Sequence, residues 1–177
     1  MVRTTAIAVI GVIMLATSPL AAAAEPVSKE SQNELAHAIA GAWLPLESGL
    51  AVSAGEGTPL SAKYEIDDGA FQLSVYTWKS DTFSGDSFAE VIVDFSTGLV
   101  ARVSGITHGG DLAAAQSQQA AMAQARRSLG EATAAAVLAN SGYRAVSAMP
   151  ALDNGSPSAA VTLVRGDDWK VVTVPLN

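Results

Sequence analysis

Four turn-forming segments that contain glycine constrain the fold more than any other feature of the sequence. They lie at 67–69, 96–98, 153–155 and 166–168. Glycine accepts the positive φ angle of a tight hairpin turn, and alternation of apolar and polar residues is typical of a strand with one buried face. The sequence therefore predicts antiparallel hairpins. Their strands are SAKYEI, AFQLSVYTWK, FAEVIVDF, LVARVSGI, YRAVSAMPAL, SAAVTLVR and WKVVTVPLN.

A helical pattern precedes the first strand. In residues 28–44, Leu35, Ile39 and Trp43 recur at a spacing of four, and Pro45 ends the pattern. Residues at this spacing lie on one side of an α-helix, and proline cannot continue a helix. The pattern predicts an amphipathic helix whose apolar stripe includes Trp43.

Three other segments complete the prediction of local structure. Residues 47–59 are rich in glycine and serine, so we expect a loop there, with a short strand at 50–52. The alanine-rich segments 112–129 and 131–142 predict two further helical pieces that are separated near Gly130.

The N-terminus has the order of parts that is typical of a secretory signal peptide. Arg3 provides a positive charge, residues 6–16 are apolar, and a run of alanines precedes Glu25. The apolar run is shorter than the roughly 20 residues that cross a bilayer. We expect cleavage after Ala24, export to the periplasm or the medium, and no membrane span in the mature chain. An anchor that is not cleaved is the alternative.

The cysteine content and the charge exclude several classes of protein. The chain contains no cysteine and has a formal net charge of −7. A disulfide framework, a lipid-modified cysteine, a thiolate metal site and a cysteine nucleophile are therefore ruled out. Arg126 and Arg127 are the only adjacent cations, whereas binding to a phosphate backbone requires several. We expect no nucleic-acid partner.

The histidines provide a weak candidate for a metal site. His37 and His108 are the only two, and His108 lies near Asp111 in the segment THGGD. An imidazole and a carboxylate are suitable ligands for a cation, but a catalytic zinc ion takes three protein ligands. The alternative is a polar connector in which Gly109 and Gly110 turn the chain and Asp111 caps the next helix.

No pattern of catalytic residues is present. The sequence has no G-x-S-x-G elbow, no S-x-x-K and no phosphate-binding glycine loop. The acidic turns lack the alternating ligands and the closing glutamate of a calcium loop, so we expect solvated hairpin tips. We predict no catalytic residue and no cofactor, and we do not expect an enzyme.

The order of a helix followed by a strand meander occurs twice. DDG at 67 is similar to DNG at 153, and FAEVIVDF at 88 is similar to WKVVTVPL at 169. The sequence predicts an α+β fold of two similar halves, each a helix packed on an antiparallel β-meander, with a signal peptide at 1–24 and domains at 25–110 and 111–177. A chance recurrence in an ordinary α+β protein is the alternative.

One turn carries a resemblance to a known family. Asp94, Thr97 and Gly98 match a D-x-x-T-G turn, in which Asp94 can accept hydrogen bonds from backbone amides and Gly98 can take the left-handed conformation. With the preceding helix and strands, this turn resembles the PepSY domain, a small exported module. The second half has the long helix and the strands, but the chain ends at Asn177 where its own turn would fall, so we expect this half to be degenerate or merely similar. The resemblance implies a periplasmic or secreted, non-catalytic module that restrains a peptidase or binds peptide-like segments.

Aromatic residues of the first predicted sheet are candidate anchors for a protein or peptide partner. Aromatic side chains on a sheet face are suitable anchors, although most aromatic residues lie in cores. The strands at 69–79 and 88–95 could also add a partner strand at an uncovered edge. We predict an exported, non-catalytic binding or regulatory module of the cell envelope, and the alternatives are a metal-binding or sensor protein and then a hydrolase. The candidate anchors are Tyr64, Tyr76, Trp78, Phe83 and Phe88.

Overall fold

The computed structural model describes residues 28–82 and 85–177, so the predicted signal peptide and Phe83 lie outside the described residues. The described residues form four α-helices and seven strands. The helices are α1 (Lys29–Gly41), α2 (Leu46–Ser53), α3 (Gly109–Met122) and α4 (Leu129–Leu138). The strands are β1 (Thr58–Asp67), β2 (Ala70–Asp81), β3 (Gly85–Val93), β4 (Val100–Ile106), β5 (Arg144–Asp153), β6 (Ser156–Arg165) and β7 (Asp168–Pro175).

The seven strands form one antiparallel sheet in the order β4-β3-β2-β1-β5-β6-β7. The predicted hairpins are confirmed. Asp68 and Gly69 have φ angles of 48° and 75°, and Asn154 and Gly155 have φ angles of 49° and 79°. Two successive residues with positive φ form the turn whose twist matches that of the flanking strands. The α+β class is therefore confirmed.

A short ladder joins the two sides of the sheet. β1 pairs with β5 through Ala62 opposite Ala148 and Lys63 opposite Ser147. This pairing places β1 to β4 on one side of the ladder and β5 to β7 on the other, within a continuous sheet.

Helices cover both faces of the sheet. On the face that we call the main face, Leu35 of α1, Leu50 of α2 and Leu129 of α4 pack with strand side chains such as Val75 and Val91. The opposite face, which we call the α3 face, carries Tyr76, because successive residues of a strand point to opposite sides. There, Ala115 of α3 lies in a smaller apolar cluster.

The predicted loop at 47–59, with its short strand at 50–52, is wrong, because α2 occupies most of this segment. Leu46 and Leu50 lie one helical turn apart, and both are buried. Gly49 faces β2 so closely that a Cβ atom there would overlap the side chain of Leu73. This glycine allows the helix to approach the sheet, whereas the sequence pattern treats it as a helix breaker.

Trp43 does not lie on the apolar stripe of the first helix, contrary to the prediction. Helix α1 ends at Gly41, two residues before Trp43, and the Trp43 side chain is 71% exposed. Leu44 is buried instead. Its carbonyl oxygen accepts hydrogen bonds from the Tyr64 hydroxyl and from Arg144 Nη2, so tertiary contacts determine which residue of this loop enters the core.

The second helical region is divided earlier than predicted. α3 ends at Met122 and α4 begins at Leu129, so the break precedes Gly130. In the break, the amides of Arg126 and Arg127 donate to the carbonyl oxygen of Leu176, at 2.6 and 3.0 Å. The connection thereby carries the chain from the α3 face to the main face.

Candidate functional site

Tyr64 lies in the core, apart from the other candidate anchors. It is only 1% exposed, on the main face, and its ring stacks on Phe71 with the centroids 5.2 Å apart. Burial raises the pKa of the Tyr64 hydroxyl to about 12. Because the ring is enclosed, the structure does not bring Tyr64 to a surface that a partner can reach.

The other described anchors lie together beneath α3. Trp78 and Phe88 pack with Leu60 and Ala115, and the Tyr76 hydroxyl donates to Asp111 Oδ1 at 2.9 Å. Burial and this hydrogen bond both raise the pKa of Tyr76. The Trp78 indole nitrogen is buried without an acceptor among the described residues. Helix α3 therefore occupies the face that the sequence assigns to a partner.

The predicted metal ligands bond to different neighbours. His108 Nδ1 lies 2.9 Å from Thr107 Oγ1, whereas Asp111 accepts from Tyr76. Asp111 lies in the first turn of α3, and His108 occupies the cap position, so the prediction that Asp111 caps the helix is wrong. The described parts of the chain contain no group of three or more His, Asp or Glu side chains that could hold a metal ion.

The D-x-x-T-G turn has the predicted geometry. Asp94 Oδ1 accepts from the amides of Ser96 and Thr97, at 2.8 and 3.1 Å, and Gly98 has a φ angle of 71°. Hydrogen bonds from the Ser96 side chain and then from the turn amides lower the pKa of Asp94. The Trp43 ring lies 3.5 Å from the position of a Cβ atom on Gly98, so this turn supports the exposed indole.

An exposed apolar surface continues from this turn along β4. Leu99 is 67% exposed and Val103 is 47% exposed. Val103 faces the same side as its buried register partner Val91, but α1, α2 and α4 pack over other strands. We call this region the β4 edge surface. Its exposed residues are Trp43, Leu99, Ala101, Val103 and Gly105. Leu99 lies on the side of the sheet opposite to Val103, because its neighbour Val100 faces Val93 on the main face.

A shallow depression lies at the far end of the β4 edge surface. Ala89 and Gly105 face each other across β3 and β4, and Val103 lines the same hollow. Lys79 and Glu56 border it, with Lys79 Nζ 3.9 Å from Glu56 Oε2. Because Gly105 has no side chain and Ala89 has a short one, a side chain from outside can enter here.

The two edge strands of the sheet, β4 and β7, differ in the features that discourage pairing with another strand. Edge strands expose unpaired backbone groups, and proline and lysine are common means of discouraging further pairing. β7 carries Lys170 and Pro175, whereas β4 contains neither residue type. Arg102 is the only charged residue of β4. β4 also has a bulge opposite Ile92 and Val93, which is another such device, so the unprotected part of this edge is residues 103–106.

Sequence reasoning missed this surface, because it placed Trp43 on a helix and searched for anchors in the two long strands. The signal that could have found it is LVARVSGI, a strand with one charge and no proline directly after a turn.

Comparison with models of known protein families, with curated proteins and with solved structures gives no match to this chain. Over residues 28–82 and 85–177, no single helix is long and apolar enough to cross a membrane, and only α1 with the segment Leu46–Glu56, across a bend of 73°, passes that test as a pair.

Proposed function

We propose that this chain is an exported, non-catalytic binding module that takes up an extended polypeptide segment along β4. The observation that carries the proposal is an edge strand without proline or lysine, next to exposed Trp43. An edge strand binds a polypeptide through its backbone groups, and adjacent side chains select the sequence. Tryptophan is among the residues that contribute most often to binding energy at interfaces.

The chemistry of the surface defines the kind of segment that fits. Along β4, Ala101 and Val103 are exposed apolar residues two positions apart, so the bound segment carries apolar side chains at alternate positions. The chain has a net charge of −7, and Asp94, with its lowered pKa, stays ionised at the start of this surface. A segment with a net positive charge is favoured, since opposite charges speed association.

The same proposal includes the signal peptide, the division into two units and the compartment. Residues 1–24 serve as the signal peptide, residues 25–110 and 111–177 form two PepSY-like units, and the mature protein acts in the periplasm or the medium. The Asp94 turn and the helix before the first meander support this assignment. In this setting, the polypeptide partner is a protein of the cell envelope, such as a peptidase that the module restrains.

Site-specific photocrosslinking tests the proposal. A photoreactive phenylalanine analogue replaces Val103 in the exported protein, cells are irradiated, and the crosslinked polypeptides are identified by mass spectrometry. The matched control carries the analogue at Leu138, which is 84% exposed at the end of α4, away from β4. We expect a discrete crosslinked polypeptide at 103 and none at 138.

Equal crosslinking at both positions, or none at 103, would contradict binding along β4. A second variant, Trp43→Ser with the analogue kept at 103, is expected to weaken crosslinking without changing the circular dichroism spectrum. This substitution removes an exposed ring, so the core is left unchanged.

A further inference from the structure

We infer that, in the free protein, β4 of a second copy of this chain occupies the β4 edge, paired antiparallel about a two-fold axis at Val103. This inference concerns the regulation of the same site, so it rests on the proposed function: the pair masks the edge until another polypeptide displaces it. A two-fold interface must be self-complementary, which can be checked residue by residue.

The position of the axis fixes which residues face each other. In an antiparallel pair centred on Val103, the residue numbers of facing partners have a constant sum. An axis perpendicular to the sheet keeps the main faces of both copies on one side. The facing pairs next to the axis are Val103 with Val103, Arg102 with Ser104, and Ala101 with Gly105, and a bulge in β4 follows Ala101 towards the start of the strand.

On the main face, the pairing brings a small exposed residue beside the hollow. Ala101 is exposed near the start of β4, whereas the hollow at Ala89 and Gly105 lies near its end. An antiparallel pair places the start of one strand beside the end of the other. Each copy therefore places Ala101 beside the hollow of the other, and the two Val103 side chains meet at the axis.

On the α3 face, the charges are complementary. Arg102 faces the small residue Ser104 of the second copy, and the register partner of Ser104 on β3 is Glu90. Arg102 and the Glu90 of the second copy are then about 10 Å apart along the sheet, two strand spacings, which their extended side chains span. Among the described residues, neither forms an ion pair within its own chain. Within its own chain, Glu90 accepts a hydrogen bond from the Ser74 hydroxyl at 2.6 Å, and the dimer adds a partner of opposite charge.

Other registers are less favourable. An axis at Arg102 places two guanidinium groups directly opposite each other, and facing like charges destabilise a sheet. An axis at Ser104 faces Arg102 with Ile106, and it moves Val103 away from its counterpart. Of these three axes, the one at Val103 suits both faces.

Cysteine crosslinking combined with sedimentation tests the inference on the mature chain, residues 25–177. The chain has no cysteine, so a single substitution supplies the only thiol. We expect the unmodified chain to sediment as a dimer that dissociates on dilution, and Val103→Cys to form a covalent dimer on mild oxidation. The matched control is Val171→Cys, because Val171 is a 44% exposed valine on the other edge strand.

Charge reversal provides a second readout. Arg102→Glu is expected to shift the chain to the monomer, because it faces Glu90 of the second copy with a like charge. Arg102→Glu combined with Glu90→Arg is expected to restore the dimer. Gly105→Val fills the hollow, and a Cβ at this position meets nothing nearer than Thr107 Cγ2 at 3.9 Å, so this variant is expected to fold normally and to sediment as a monomer.

A chain that sediments as a monomer at every concentration would overturn the inference, and so would a dimer that crosslinks at 171 but not at 103. If the chain is a monomer but photocrosslinking at 103 captures a foreign polypeptide, the inference fails and the proposed function stands. If the chain is a monomer and nothing is captured, both fail.

Discussion

Replacing Tyr64 by phenylalanine removes one hydroxyl from the centre of the core and nothing else. The hydroxyl donates to the carbonyl oxygen of Leu44 in the loop that leads to α2. Leaving a buried acceptor unpaired costs about 1–3 kcal/mol. However, the Leu44 oxygen also accepts from Arg144 Nη2 at 3.3 Å, so it retains a partner in the variant. We therefore expect a loss at the low end of that range, about 1 kcal/mol.

The same substitution has a pH signature. The pKa of Tyr64 is about 12 in the folded protein and 10.0 for an unperturbed tyrosine, because burial disfavours the phenolate. Between these values the folded state binds the proton more tightly than the unfolded state does. The stability that comes from this shift is fully present below pH 10.0 and is lost as the pH rises towards 12. The free-energy difference between the native chain and Tyr64→Phe should therefore shrink above pH 10.0.

Urea denaturation of both chains, followed by circular dichroism at pH 7 and over a series of alkaline pH values, measures these differences. Tyr143→Phe is a suitable control at pH 7, because the Tyr143 hydroxyl bonds to Asp168 near the end of the sheet and not to a core carbonyl. It does not serve as the control for the alkaline series, because the hydrogen bond to Asp168 raises the pKa of Tyr143 as well. Equal stability of the native chain and Tyr64→Phe at pH 7, or a difference that does not change with pH, would refute the role of Tyr64 as the link between the core and the Leu44 loop.

Three other substitutions test further contacts. Ser128→Ala removes the N-cap of α4, whose hydroxyl accepts from the Glu131 amide at 3.1 Å, and should lower the free energy of unfolding by about 1 kcal/mol in urea. Tyr76→Phe removes the hydroxyl that holds the first turn of α3, so hydrogen exchange should quicken in α3 and stay unchanged in α4. Asp94→Asn removes a carboxylate whose pKa is lowered in the folded protein. The stabilisation from this carboxylate is present above pH 3.8 and is lost as the pH falls through the lowered pKa. In an acid titration, the free energy of unfolding of the native chain should therefore approach that of the variant.

The hairpins could be predicted because their determinants are local. Gly69 and Gly155 each follow a residue that tolerates positive φ, and alternation on both sides sets the strand direction. The Asp94 turn is equally local, since the carboxylate bonds to amides two and three residues later. In each case the residues that decide the structure are neighbours in the sequence.

The sequence pattern does not show which side chains are covered where distant segments decide this. Tyr76 and Trp78 have a pattern suitable for an exposed aromatic face, but Asp111 and Ala115 of α3 pack over them from a segment some 35 residues away. Trp43 has the spacing of a buried residue, but the helix ends early and Leu44 enters the core. Periodicity shows which residues can share a face, and it does not show which face another segment will cover.

The unequal cover of the two faces also explains why β4 is the edge available for binding. Helix α3 starts shortly after β4 and packs against β1, β2, β5 and β6, where Gln118 accepts a hydrogen bond from the Ser61 hydroxyl. The helices of the main face pack on Leu73, Val91 and the buried residues of β5 and β6. The main-face layer reaches β4 only at Val100, which packs against the core, so Val103 stays exposed although its register partner Val91 is buried. An apolar strand that is left uncovered in this way is stable in water only if its exposed area stays small or another strand covers it. Pairing of two copies meets this condition without any change in the fold.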